Sequence, residues 1–417
     1  MTKVKVGVIG VGLRGSGHVR IIQGSDRGEV IAVCDVDKDR LKRFEEQYKN
    51  IKTYTDYHRL LKDAEVEAVD IVLPHNLHAQ VAIAAANAKK HILVEKPISR
   101  TLEEADAMIA AAKKNRVKLS VAEDRRYNAH WALAKQLIDE GKIGEPYAAQ
   151  GDSRFYGRPY EVKPGETAVA ATVWRGKKEA MGGGVLIDEG HHGVDLLIFL
   201  LGEIVEASAY WSRKGLGEKS EGEDTTLSIF KHRNGAISYN LSGWGPGPHR
   251  ETMIVYGTKG AIDVDSETVK LYTQDITVLP MPDRRRPTAE ELMKKSAEER
   301  ALFQQLNPSV QSLVRSLNQH QIKLMTQLPS LDAQTKTVLE TLAARTQRID
   351  APAQVWTSVE LRQEGLMSGM SAAIHQFLEA VQENKEPKYP GEEGRRVLAA
   401  IVAAYEPATK AVSIKTR

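Results

Sequence analysis

The apolar run Val4-Lys5-Val6-Gly7-Val8-Ile9 leads straight into Gly10-Val11-Gly12-Leu13-Arg14-Gly15, and a helical stretch follows through Ile22. No other feature of the chain restricts its fold as tightly. A buried strand that turns through three glycines into a helix is the opening βα unit of a parallel sheet. Glycine permits the tight turn and lets a ligand approach the backbone. Free N–H groups and the positive end of the helix dipole then suit an anion such as a pyrophosphate. A second apolar strand, Val30 to Cys34, ends on Asp35. A carboxylate there accepts hydrogen bonds from both hydroxyls of an adenosine ribose and repels a 2′-phosphate, so NAD is expected in preference to NADP. Gly10, Gly12, Leu13, Arg14, Gly15 and Asp35 are the first candidate cofactor residues.

Strand and helix signals keep alternating. Ala68 to Leu73 reads as a strand closing on Pro74, Ala79 to Ala88 as helix, and His91 to Val94 as a strand running into Glu95-Lys96-Pro97. Thr101 with Glu104 forms a capping box, and Val117 to Ala122 is a further strand. This alternation predicts an α/β Rossmann domain over 1–122, a parallel sheet covered on both faces. Beyond it, after a helix near Trp131–Glu140, strand-like segments dominate: Glu206–Trp211, Thr225–Lys231, Ala236–Leu241, Glu251–Tyr256 and Ala261–Val264. They predict an α+β domain over 123–417, with a mainly antiparallel sheet. A helical insertion interrupts it at about 275–367. Its signals are Thr288 with Glu291, Asn307-Pro308, the leucines 313, 317, 324 and 328, and then Val338, Leu339 and Leu342. Two helices close the chain, at Ala372–Gln382 and Gly394–Ala404.

Bulk properties exclude some partners. Lysine plus arginine number 58 and aspartate plus glutamate 55, a net charge of +3 that gives no reason to expect nucleic acid or an anionic membrane. Cys34 is the single cysteine, so no intrachain disulfide forms; it is expected as strand packing. The first strand begins with no leader-like segment before it, and the longest apolar runs, such as Leu196 to Leu201, are far too short to span a bilayer. A cytoplasmic protein is the expectation.

With Glu95-Lys96-Pro97 added to the glycine loop, the sequence resembles the Gfo/Idh/MocA family, named for glucose–fructose oxidoreductase, inositol dehydrogenase and a rhizopine-catabolism protein. Leu73-Pro74-His75-Asn76-Leu77-His78 resembles the family's loop after the fourth strand. Val121 to Tyr127 resembles its crossover into the second domain. Trp174-Arg175, followed by Gly182-Gly183-Gly184 and Asp188-Glu189-Gly190-His191-His192-Gly193-Val194-Asp195, resembles its active-site signature. The resemblance covers about residues 3–272 and 368–410. It implies dehydrogenase chemistry on a sugar-like or cyclitol-like substrate, with a second domain, 123–417, whose open, mainly antiparallel sheet carries substrate residues on one side and joins homodimers or homotetramers. The insertion exceeds what the family usually places there.

Hydride transfer from an alcohol needs a base for the hydroxyl proton and benefits from a cation beside the oxygen. Lys96, following a strand's carboxyl edge, fits the cation, and the resemblance implies a catalytic, substrate-binding role for it. His192 fits the base. Asp188 lies four residues earlier and, on one continuous helix, would share its face and orient the imidazole. His191 would then turn away. Arg125, Tyr127, Trp174 and Arg175, with Lys96, Asp188 and His192, are candidate substrate residues; Leu73, Pro74, His75, Asn76, His78, Glu95 and Lys96 are candidate cofactor neighbours. The histidines near residue 75 lack the Cys or carboxylate cluster of a metal site, so no metal is expected. Two other functions use the same parts: an NAD-dependent glycosidase working through transient ring oxidation, and a non-catalytic NAD-binding sensor. The sensor would not require Lys96, Asp188 and His192 together.

Overall fold

A computed structural model describes residues 2–156, 173–216, 220–245, 247–265, 268–274, 301, 304–306, 308, 332–346, 356–361, 368–406 and 412–413. The chain divides into two compact units, residues 1–273 with 357–417, and residues 274–356.

The first unit begins with six parallel strands: β1 (Val4–Ile9), β2 (Gly28–Cys34), β3 (Lys52–Tyr54), β4 (Ala68–Ile71), β5 (His91–Glu95) and β6 (Leu119–Ala122), in the order β3-β2-β1-β4-β5-β6. That order reverses direction between β1 and β4, and ligands of open α/β sheets sit in the crevice there, beyond the strands' carboxyl ends. The connecting helices are α1 (Leu13–Gln23), α2 (Lys38–Gln47), α3 (Tyr57–Leu61), α4 (His75–Asn87) and α5 (Leu102–Asn115). β4 is buried along its whole length, as a strand covered on both faces must be. Thr101 caps α5, its hydroxyl accepting the Glu104 N–H at 3.2 Å.

After α6 (Ala129–Asp139) comes the long β7 (Pro146–Tyr156), then three helices in succession: α7 (Lys178–Met181), α8 (Val185–Asp188) and α9 (Gly190–Leu201). The remaining strands are β8 (Ile204–Ser212), β9 (Thr225–His232), β10 (Ile237–Gly245), β11 (Arg250–Gly257), β12 (Gly260–Val264), β13 (Val269–Gln274), β14 (Trp356–Leu361) and β15 (Val412–Ser413). Together with β7 they form a nine-stranded sheet ordered β14-β13-β12-β11-β7-β10-β9-β8-β15. The described ladders are antiparallel except β7 with β10, which is parallel. Burial alternates along β9, the period expected of a sheet with one packed and one open face. The packed face carries α9, apolar nearly all round and buried on nearly every side.

The closing helices return to the first sheet. Ile374, Phe377 and Leu378 of the helix Gly369–Gln382 share a core with Val4, Val6, Val8 and Val30. Of the expected insertion helices, Val338, Leu339 and Leu342 fall on the helix Ala333–Thr346; Thr288, Glu291, Asn307 and the leucines 313 to 328 lie outside the described residues. Among the described residues no helix is long and apolar enough to cross a membrane.

Candidate active site

The glycine loop lies at the point where strand order reverses. Gly10 has φ +90°, and a Cβ on it would collide with the Val72 carbonyl just beyond β4; one on Gly15 would collide with the Gly10 carbonyl. Both positions therefore require glycine. A Cβ on Gly12 would meet nothing within 4 Å, so the backbone at the start of α1 is open to an approaching group. The side chain of Asp35 accepts from Val11 N at 2.9 Å, Asp37 N at 3.0 Å and Arg40 Nη1 at 2.9 Å. A carboxylate offers about four acceptor positions, which leaves capacity for a ribose hydroxyl. Leu13 and Val36 flank this edge at 87% and 89% exposure, two aliphatic side chains displayed where a flat ring system would cover them. An open helix start, an acid at the second strand's end and uncovered apolar flanks fit a dinucleotide.

Lys96 directly follows β5 and is buried. Its ammonium donates to the Asp188 carbonyl at 2.8 Å and to Asp188 Oδ1 at 3.2 Å. Arg175 Nε donates to Asp188 Oδ2 at 2.9 Å, and His75 Nε2 stands 3.9 Å from Oδ1. Burial alone would raise the Asp188 carboxyl, but Arg175 and Lys96 outweigh it and hold it far below the usual range. Burial would likewise lower the Lys96 ammonium, yet Asp188, Glu189 and Glu95 raise it, so it stays charged. Two of its three N–H groups are engaged by Asp188, leaving one for a substrate oxygen.

His192 has a different partner from the one its spacing suggests. The helix breaks at Glu189, where α8 ends and α9 begins, so Asp188 and His192 do not share a continuous helical face. The carboxylate beside the imidazole is Glu123, just past β6: His192 Nδ1 lies 2.8 Å and 3.0 Å from its two oxygens. Asp188 serves Lys96 and Arg175 instead. Burial, Arg125 and Lys96 all push the His192 imidazole well below its ordinary value, while burial raises the Glu123 carboxyl. The far nitrogen, Nε2, is buried without a hydrogen-bond partner among the described residues. His191 is also buried, with neither ring nitrogen hydrogen-bonded there and Nε2 3.5 Å from Glu123.

The other candidates fall into two groups. Trp174 packs edge-on against His75 at 4.7 Å and carries the Arg175 guanidinium 4.9 Å above its ring, so all three join the Lys96 cluster. Burial lowers His75 to about 3, so it is neutral. Asn76 is exposed at the start of α4, while Leu73 and Pro74 border it, half-buried. His78 is fully buried, its nitrogens 2.9 Å and 2.8 Å from the carbonyls of Pro97 and Leu73; it braces two loops and offers no free atom to a ligand. Arg125 pairs with Asp124 and Glu251, and half-buried Tyr127 follows it, pushed up to about 12 by burial. Arg14 is exposed beside Leu13, and Glu95 is buried. Ligand atoms of Glu123, Asp124 and His192 lie within 4.8 Å of one another, a metal-like spacing; here Glu123 is hydrogen-bonded to His192 and Asp124 is paired with Arg125.

Glu123 was missed by reading the sequence, although it follows a strand's carboxyl end directly, the position that supplies ligand-facing residues in such sheets.

Comparison with known proteins places these features. Residues 4–123 match the model of the oxidoreductase family with an NAD-binding Rossmann fold, and residues 131–263 match the GFO/IDH/MocA C-terminal domain. A myo-inositol 2-dehydrogenase of Thermotoga maritima is 29% identical over 279 residues, 65% of this chain and 79% of its own. A levoglucosan dehydrogenase of Pseudarthrobacter phenanthrenivorans is 32% identical over 231 residues, 50% of this chain and 57% of its own. Among solved structures, a levoglucosan dehydrogenase in complex with NADH and levoglucosan shares the fold at TM-score 0.71 and 20% identity, with both chains covered completely. The WlbA dehydrogenase of Bordetella pertussis, in complex with NADH and UDP-GlcNAcA, does so at TM-score 0.70 and 20% identity, covering 100% of this chain and 99% of its own. The chain belongs to the Gfo/Idh/MocA family of oxidoreductases, with the family's NAD-binding Rossmann domain at its N-terminus.

Proposed function

We propose that this protein is an NAD-dependent dehydrogenase or reductase acting at a secondary alcohol or ketone of a sugar, cyclitol or glycoside. NAD, when bound, supplies the hydride acceptor. Lys96 holds the substrate oxygen with its remaining N–H and stabilises the negative charge that develops on it. His192 gives its Nδ1 proton to the bond with Glu123, which leaves the Nε2 lone pair to take the hydroxyl proton. The observation that carries the reading is the unpartnered, buried Nε2 of His192, near enough to the Lys96 charge to be lowered by it. Asp188 keeps Lys96 charged and placed, with Arg175, Trp174, Arg125 and Tyr127 around the substrate. On this reading residues 1–122 hold the cofactor, 123–417 the substrate, and about 275–367 form an insertion in the second part. Gly10, Gly12, Leu13, Arg14, Gly15, Asp35, Leu73, Pro74, His75 and Asn76 line the cofactor side.

The dehydrogenase and oxidoreductase names of the relatives support this class of substrate. The open face of the second sheet displays Tyr147, Tyr210, Ile229, Ile237 and Tyr239, which favours a homodimer or homotetramer joined through it. A single cysteine suits a cytoplasmic setting. The test is a panel of polyols, sugars and glycosides with NAD and with NADP, following reduced cofactor and released aglycone, on protein whose mass in solution is measured. Net NADH from a polyol is expected. Aglycone release without net NADH would replace net oxidation with redox-assisted glycoside cleavage, and binding of NAD without turnover of any substrate would favour a sensor.

A further inference from the structure

A second charged group lies beneath the site, in the first sheet. His18 on α1 sends Nδ1 to Asp70 Oδ2 of β4 at 2.8 Å, and its Nε2 forms an ion pair with Glu95 Oε1 at the end of β5 at 3.2 Å. All three side chains are buried. The other Glu95 oxygen, Oε2, accepts the backbone N–H of Lys96 at 3.1 Å. One imidazole thus joins the helix behind the glycine loop to the backbone that carries the catalytic ammonium.

We propose that His18, Asp70 and Glu95 are positioning residues that fix the Lys96 turn relative to the start of α1. The inference rests on the catalytic role given to Lys96 above. Stability alone is a poor reason for such a trio, since burying charges is costly and apolar replacements of buried ionic groups are often neutral or better. Geometry is the better reason. With a carboxylate facing each ring nitrogen, both nitrogens carry protons; burial alone would lower this imidazole, but Asp70 and Glu95 raise it to about 10. The imidazolium therefore holds Glu95 from one side while Glu95 holds Lys96 N from the other. A small misplacement of a catalytic group is costly in rate even when the fold is kept.

The experiment is a double-mutant cycle with His18→Gln and Glu95→Gln, with the nearly isosteric Asp70→Asn as a milder third variant. Turnover is measured with NAD and the polyol found active in the panel, myo-inositol being tried first; NAD affinity comes from calorimetry and folding from the thermal midpoint. Each single variant should lower kcat about ten-fold and leave the Kd for NAD within about two-fold, and the double variant should be no worse than the poorer single. Asp70→Asn should give a smaller loss in the same direction. Unchanged kcat per folded molecule with a lowered midpoint would overturn the proposal, as would losses that multiply in the double variant or a loss confined to NAD affinity. Full turnover in Lys96→Ala would instead defeat the catalytic reading on which it rests.

Discussion

Asp188 and Glu123 are both carboxylates with no access to solvent, yet their surroundings drive them in opposite directions. Asp188 stands between Lys96 and Arg175 and is held ionised far below its usual range. Glu123 faces an imidazole, and burial prevails, raising its carboxyl. One is a permanent anion that keeps a cation in place; the other shares a proton with a histidine. When two titratable groups of one site are pushed apart in this way, the division between electrostatic and proton-handling roles follows. On the proposed reading, Lys96 with Asp188 supplies the fixed charge and His192 with Glu123 the movable proton.

Breaking the fixed-charge side should have the larger effect. Lys96→Ala removes the group that the proposed function sets beside the developing alkoxide, and should lower kcat by about 10³, on the scale of losing a preorganised oxyanion donor. NAD affinity measured by titration should change little. A kcat within a few-fold of the parent would show that the charge does not act on the transition state.

His192→Asn attacks the other side and should cost about 10², since solvent can replace a general base in part. Here the comparison sharpens through pH. A base whose pKa is depressed stays unprotonated as pH falls through 6.5, so kcat/KM in the parent enzyme should run flat across that value and fall only in more acidic solution. A limb centred near 6.5, lost in His192→Asn, would mean an unperturbed imidazole and would remove the argument from burial.

The two sides differ too in how far the sequence revealed them. The glycine loop and Asp35 were legible because the cause is local: strand, turn and helix follow one another within a few tens of residues, with matching burial. Lys96 and His192 were legible as residues, but not their partners. Spacing of four assumed one helix through Asp188 and His192, and Glu189 interrupts it between α8 and α9. The actual pairings join Lys96 to a carboxylate 92 residues away and His192 to one 69 residues away. Such contacts depend on how β5, β6 and α8 meet in space, which no local period encodes. His18, 52 residues from Asp70, was hidden for the same reason.

The smallest expected effect concerns cofactor choice and tests a fixed charge of a third kind. Asp35 is engaged by Arg40 at 2.9 Å, and Arg40 remains about one-quarter exposed. The pair therefore places both a repulsive and an attractive group near the position of a 2′-phosphate. While the carboxylate stands, the guanidinium is occupied and NAD is favoured. Asp35→Ser removes the repulsion and frees Arg40, so the ratio of kcat/KM for NADP to that for NAD should rise about ten-fold, worth about 1.4 kcal/mol. Adding Arg40→Ala should cancel most of that rise, because the freed cation is what receives the extra phosphate. If Asp35→Ser lowered both cofactors equally, the carboxylate would matter chiefly through its bond to Val11 N, as a brace for the glycine loop and not as a selector.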